Sequence, residues 1–225
     1  MTSSLPILEL FISLDVETDG DVPVRNSLLS LGAHAYQPVT KTRKGKPFHT
    51  LKHLKPHFYG NIEPQSYRLS TANGQLILQT QPNPRNMAWF INSFPAAYAH
   101  LLRNRQPPDV VLQQFKQWLH DLAHMFVTTH RVQFVFVAAP AMFDITFVRM
   151  LLSLALNKPE GTLAVLDMQS FLMGLRGCRA FHEAGRHTWL TEWHNPKTPH
   201  THIADEDALS QGEVFKSMYE VATNR

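Results

Sequence analysis

The run "VQFVFVAA", Val132 to Ala139, constrains the fold most. It is almost continuously apolar and rich in β-formers, the pattern of a strand buried on both faces. "MFDITFVRMLLSLAL" follows at once with helical spacing, and "TLAVLDMQSFLMGL" then gives a short strand running into another helix. With strands first and helix and strand then alternating, this order points to a mixed α/β sheet flanked by helices. Two more helices are expected. Asp109 to Phe126 follows Pro107 and Pro108 and has Asp109 as N-cap, with apolar residues at helical spacing. "ADEDALSQGEVFKSMYEVA" forms an amphipathic helix with Ala204, Ala208 and Phe215 inward. Upstream, Leu5 to Val16 reads as a strand, Ser27 to Tyr36 as a second closed by Pro38, and Phe58 to Ile62 as a third. Lys41 to Phe58, broken by Gly45, Pro47 and Pro56, is either a hairpin or a mobile loop, and Glu63 to Arg85 reads as irregular. The expectation is a mixed α/β sheet flanked by helices, in one domain of 225 residues.

Composition narrows the classes. Hydrophobic residues make up 44% and charged residues 17%, enough for a packed core. A single cysteine, Cys178, excludes an intrachain disulfide framework and suits a reducing, cytoplasmic setting. The start lacks a basic signal-peptide region, and Asn86 to Leu102 is too short and too polar to cross a membrane. The net charge of +3 hides an asymmetry: residues 22–108 carry a charge of +10 and the remainder −7. Such a split fits a polyanionic partner held beside an acidic site.

The first strand finishes in "SLDVETDG". Side chains alternate along a strand, so Asp15 and Glu17 share a face. Two like charges so placed either splay into water or hold a cation. Asp144 follows the buried strand in "PAMFDITF", where a helix N-terminal acid is the commonplace explanation. Asp207 lies in "HTHIADEDAL", five residues after His202, within an acidic first turn. Each has an ordinary reading alone. In this order, D-x-E, F-D and H-x-A-x-x-D resemble the histidine-type DEDD (DEDDh) 3′–5′ exonucleases, in their proofreading-subunit-like branch. The position four before Asp207 is Ile203 and not Tyr, which separates the chain from the tyrosine-type branch.

The resemblance implies an RNase H-like, exonuclease-type fold over the whole chain, with residues about 39–108 as a basic insertion. It also implies a two-metal phosphodiesterase releasing nucleoside 5′-monophosphates from the 3′ end of single-stranded RNA or DNA. Asp15, Glu17, Asp144 and Asp207 would hold two Mg²⁺ or Mn²⁺ ions, hard cations that prefer carboxylate oxygen. His202 would take a proton from the attacking water. Thr18 would lie near the terminal nucleotide. Lys41, Arg43, Lys44 and Lys46 would track phosphates, with Lys52 and Lys55 alongside; the plain alternative is a solubilising loop. Trp89 and Phe90 either stack on bases or join the core. His187, His194 and His200 have irregular spacing and no cysteine partner, which argues against a structural zinc site. One departure stands out: Ala138 to Met142 offers no His or Asn before Phe143-Asp144. That keeps open a second class of function, a catalytically weak nucleic-acid-binding module on the same fold.

Overall fold

The computed structural model describes residues 5–71, 74–155, 163–180 and 200–225, with the side chains of 67–78 and 154–155 excepted. Its centre is a five-stranded sheet built from β1 (Ile7–Thr18), β2 (Leu28–Arg43), β3 (Lys46–Asn61), β6 (Arg131–Ala138) and β7 (Ala164–Asp167). The strand order is β3-β2-β1-β6-β7. The first three strands pair antiparallel, whereas β1–β6 and β6–β7 are parallel. β4 (Ser66–Thr71) and β5 (Gly74–Gln79) form a separate hairpin, followed by α1 (Pro84–Ser93) and α2 (Pro95–Leu101). The remaining helices are α3 (Pro108–His124), α4 (Ala141–Ala155), α5 (Met168–Arg176) and α6 (Ala204–Thr223). This is the mixed, helix-flanked sheet that the order of elements calls for.

Alternation along β1 decides which layer each residue meets. Leu10, Ile12, Leu14 and Val16 pack with Val111, Leu112 and Phe115 of α3 and Ile145, Val148 and Leu151 of α4. Phe11 packs on the other side, with Met168 and Leu172 of α5 and Val214, Phe215 and Met218 of α6. Asp15 and Glu17 share parity with Phe11 and Ser13, so they face the α6 layer. Ser13 fixes the contact by donating its hydroxyl to the Ala208 carbonyl at 2.7 Å.

Several strand boundaries differ from expectation, and prolines explain most of them. β2 does not stop at Pro38; it runs on to Arg43, paired only with β3. Beyond Tyr36, β1 no longer flanks it, so Pro38 lies where β2 has a ladder partner on one side only. β3 is an edge strand that begins at Lys46, not Phe58, and Pro56 falls where its register shifts. Edge positions and bulges are where sheets tolerate proline. The basic tract is therefore a hairpin, turning at Lys44 and Gly45, both with positive φ. Glu63 to Arg85 is not irregular throughout, because it contains β4 and β5. The N-cap of helix α3 is Pro107, two residues before the expected Asp109, which lies in the first turn.

Candidate active site

Three elements meet at the carboxyl end of β1. Asp15 and Glu17 come from the strand, Asp207 from the first turns of α6 and Asp144 from the first turn of α4. Oxygens of Asp15, Glu17 and Asp207 lie within 4.8 Å of one another. Asp144 approaches from the opposite layer, and its Oδ1 accepts a hydrogen bond from the Val16 amide at 3.2 Å. That amide lies between the two strand acids in sequence, so Asp144 is tied to the backbone that presents them.

Asp207 is 2% exposed and heavily bonded. The Thr201 amide donates to Oδ1 at 2.7 Å and the His202 amide to Oδ2 at 2.9 Å. His200 Nδ1 lies 2.9 Å from Oδ2. The short segment before α6 thus wraps the carboxylate with backbone donors, and His202 adopts φ 58 to do so. A left-handed histidine is uncommon, and strain of this kind is held in place by its surroundings. Here the surroundings are aromatic: the His202 ring sits 4.0 Å from Phe94, 5.6 Å from Trp89 and 6.0 Å from Phe90, between centroids. Its Nδ1 is 3.6 Å from Glu17 Oε1.

Burial pushes the Glu17 carboxyl above the ordinary carboxylate range; nearby His202 opposes that shift, and Asp207 adds to it. A buried acid raised in this way, crowded by other acids, is a group short of positive charge. The donor set is all-oxygen and anionic, which fits hard divalent cations.

The cleft here has a volume of about 250 Å³ and is lined by Asp15, Glu17, Thr18, Trp89, Asp144 and His202, among others. Thr18 donates its hydroxyl to the Gly20 carbonyl at 2.6 Å, bracing the turn after β1. Trp89 is 53% exposed, so of its two readings the core is the wrong one, while Phe90 is buried. A larger cleft of about 760 Å³ adjoins it through Asp21 and is lined by Arg25 and Asn83.

Not every candidate converges. Ser30 is the β2 partner of Glu17, and Lys41 lies eleven residues further along β2. That is about 35 Å of extended chain. Lys41, Arg43, Lys44 and Lys46 therefore occupy the tip of a ribbon at the opposite end of the sheet from the acids, exposed to solvent. His187 and His194 lie outside the described residues.

Asp167, Phe94 and His200 also border this arrangement, though no motif in the sequence marks them. Asp167 accepts from the Ala141 amide at 3.0 Å and caps α5 through Ser170. It thereby fixes the segment before Phe143 that carries no His or Asn. The only sequence signal for Asp167 was its place at a strand-to-helix junction.

No family model matches the chain. It is 26% identical over 209 residues to the 3′-5′ DNA exonuclease Cap18 of Escherichia coli, covering 92% of this chain and 90% of that protein. Among solved structures it resembles the nuclease domain of 3′hExo, a DEDDh family member, bound to rAMP. That match has a TM-score of 0.58 at 9% identity, over 98% of this chain and 94% of the other. It also resembles Escherichia coli Exonuclease I in complex with a dA16 oligonucleotide. There the TM-score is 0.52 at 12% identity, over 97% of this chain and 41% of that one. The sheet and its helices share the fold of these nuclease domains, and the acidic cluster lies at the carboxyl end of β1. In sequence the chain is similar to a 3′-5′ DNA exonuclease, and in fold to a DEDDh nuclease domain.

Proposed function

We propose that this protein is a divalent-metal-dependent 3′–5′ exonuclease that shortens single-stranded DNA and releases nucleoside 5′-monophosphates. The observation that carries the reading is the convergence of Asp15, Glu17 and Asp207 in one cleft with His202 and Trp89. The name of the Cap18 relative supports DNA as substrate, and its coverage of nearly both chains supports carrying the activity over. The cytoplasm is the proposed setting, supported by the lone Cys178.

Asp15, Glu17, Asp144 and Asp207 would hold two Mg²⁺ or Mn²⁺ ions, which when bound stabilise the negative charge that phosphodiester hydrolysis builds up. Glu17 beside His202 Nδ1 favours the tautomer with its proton there, leaving Nε2 to accept one from the attacking water. Trp89 offers an exposed ring next to that histidine, and a terminal base can stack on it. Thr18 borders the same cleft, where the terminal sugar would lie.

The test is digestion of matched DNA and RNA oligonucleotides, 5′-labelled, with Mg²⁺ and with chelator. A descending ladder on DNA that disappears in chelator supports the proposal. Binding without shortening, indifferent to chelator, would instead make the chain a nucleic-acid-binding module. Equal cleavage of a circular single strand would make it an endonuclease.

A further inference from the structure

His200 has no part in the five-residue set assigned to hydrolysis, yet it stands inside the cleft. Its Nδ1 is 2.9 Å from Asp207 Oδ2, and its ring centroid is 4.4 Å from that of His202. Ligating atoms of His200, His202 and Asp207 all lie within 4.8 Å of one another. They form a donor set distinct in kind from the neighbouring Asp15, Glu17 and Asp207. Two imidazole nitrogens and a carboxylate are ligands for zinc-class ions, whereas magnesium and manganese sites are built from oxygen. We propose that His200, His202 and Asp207 form an inhibitory metal site selective for zinc-class divalent ions, sharing Asp207 with the hydrolytic site.

The geometry needs little change. Zn–N and Zn–O bonds of about 2.0–2.2 Å put tetrahedral ligand atoms about 3.3 Å apart. His200 and Asp207 are already inside that separation, so the closure falls on the two imidazoles. His202 is held by Phe94 and by the hydrogen bond its backbone N–H donates to Asp207 Oδ2. His200 is half-exposed and can turn to meet it. A fourth position remains for water or a phosphate oxygen.

The inhibitory effect rests on the role proposed for His202. An ion bound there consumes the imidazole lone pair that would accept the proton, and it draws Asp207 away from the oxygen-rich site. A zinc-class ion would thus bind in the active site and silence it.

The experiment uses the full chain stripped with chelator. Calorimetry follows Zn²⁺ and Mn²⁺ binding, and Co²⁺ serves as a spectroscopic stand-in for zinc. Wild type should bind Zn²⁺ and give the intense visible bands of four-coordinate Co²⁺. His200→Asn keeps an N–H able to reach Asp207 but removes the imidazole nitrogen. It should weaken Zn²⁺ binding by at least about tenfold, the scale at which even outer-shell partners act, and leave Mn²⁺ affinity within about twofold. In digestion assays run with Mg²⁺, added Zn²⁺ should slow wild type, and the midpoint should rise in His200→Asn by the same factor. Equal Zn²⁺ affinity in the two proteins, or pale octahedral Co²⁺ bands in wild type alone, would overturn the site and leave His200 as a hydrogen-bond donor to Asp207. Zn²⁺ binding that depends on His200 without slowing digestion would overturn the inhibition. Such binding in a protein with no nuclease activity would support the site and overturn the nuclease reading instead.

Discussion

A methyl group on Gly32 would stand 2.2 Å from the carbonyl oxygen of Ala204, with the Ala204 carbonyl carbon at 2.3 Å. Strand β2 and the first turn of α6 therefore touch backbone to backbone, three residues before Asp207. Neither side can yield as a flexible side chain would. Gly32→Ala should cost about 1–3 kcal/mol or more, the range for overpacking, and should lower turnover by displacing Asp207. Gly174 in α5 has nothing within 4 Å of the same added carbon. There the identical change should stabilise by roughly 0.5 kcal/mol or more through helix propensity. Urea titration of both variants checks the opposite signs.

Glu17 makes the metal-free protein pH-sensitive. Its folded pKa lies above the ordinary 4.5, chiefly through burial. A carboxyl raised on folding contributes stability fully present below its unfolded pKa and lost as pH rises through the folded value. Metal-free wild type should therefore lose stability from about pH 4.5 upwards. Glu17→Gln should flatten that part of the profile, melt higher than wild type at neutral pH without metal, and lose nuclease activity. Melting curves across pH, with and without Mg²⁺, read both effects.

His202→Ala should lower turnover by roughly two to four orders of magnitude, the usual worth of a positioned acid–base group. Mg²⁺ and Mn²⁺ affinities should stay near wild type, because the proposed ligands are carboxylates. Single-turnover rates paired with Mn²⁺ calorimetry separate the two. Lost Mn²⁺ binding would recast His202 as a ligand of the hydrolytic site.

Trp89→Ala should weaken binding of single-stranded DNA by about 1–3 kcal/mol, the scale of one base–aromatic stack. Trp89→Phe should retain most of it. Since Trp89 is half in solvent, neither change should move the melting temperature much. Fluorescence anisotropy gives the affinities, and an unchanged affinity in Trp89→Ala would remove the ring from the substrate path.

The basic ribbon gives a length-dependent prediction. Neutralising Lys41, Arg43, Lys44 and Lys46 together should weaken binding of an oligonucleotide of about 30 nucleotides and reduce its log–log salt slope by about 0.7 per lost phosphate contact. One of about 5 nucleotides, too short to lie over the acids and also reach the ribbon tip, should bind unchanged. Equal slopes for the long strand would show the ribbon to be solvated only.

The acids were legible because each sits where a periodic segment ends. Asp15 and Glu17 close a strand whose alternation fixes their shared face, and Asp144 and Asp207 open helices that apolar spacing reveals. What failed were places where pairing partners change the meaning of a residue. Pro38 and Pro56 look like stops in one dimension and are harmless where the sheet has lost a neighbour or gained a bulge. β4 and β5 hid in a mixture of Gly, Pro, Ser and Gln because their pairing lies outside the main sheet. The charge of Lys41 to Lys46 was plain, but its distance from Glu17 was not. Only the register of two long strands sets it. His200 was weighed against other histidines in sequence, whereas its neighbour in space is a carboxylate seven residues on.

Helix α6 packs on β1, β2 and β3 and brings Asp207 to residues almost two hundred positions earlier. During synthesis, the strands with Asp15 and Glu17 leave the ribosome long before this helix. Until residues 204–223 emerge and dock, the cleft has one wall missing: neither Asp207 nor the seated His202 is there. A nascent chain thus carries Asp15 and Glu17 before the third acid of their cluster, and the proposed hydrolytic site is completed by one of the latest contacts to form.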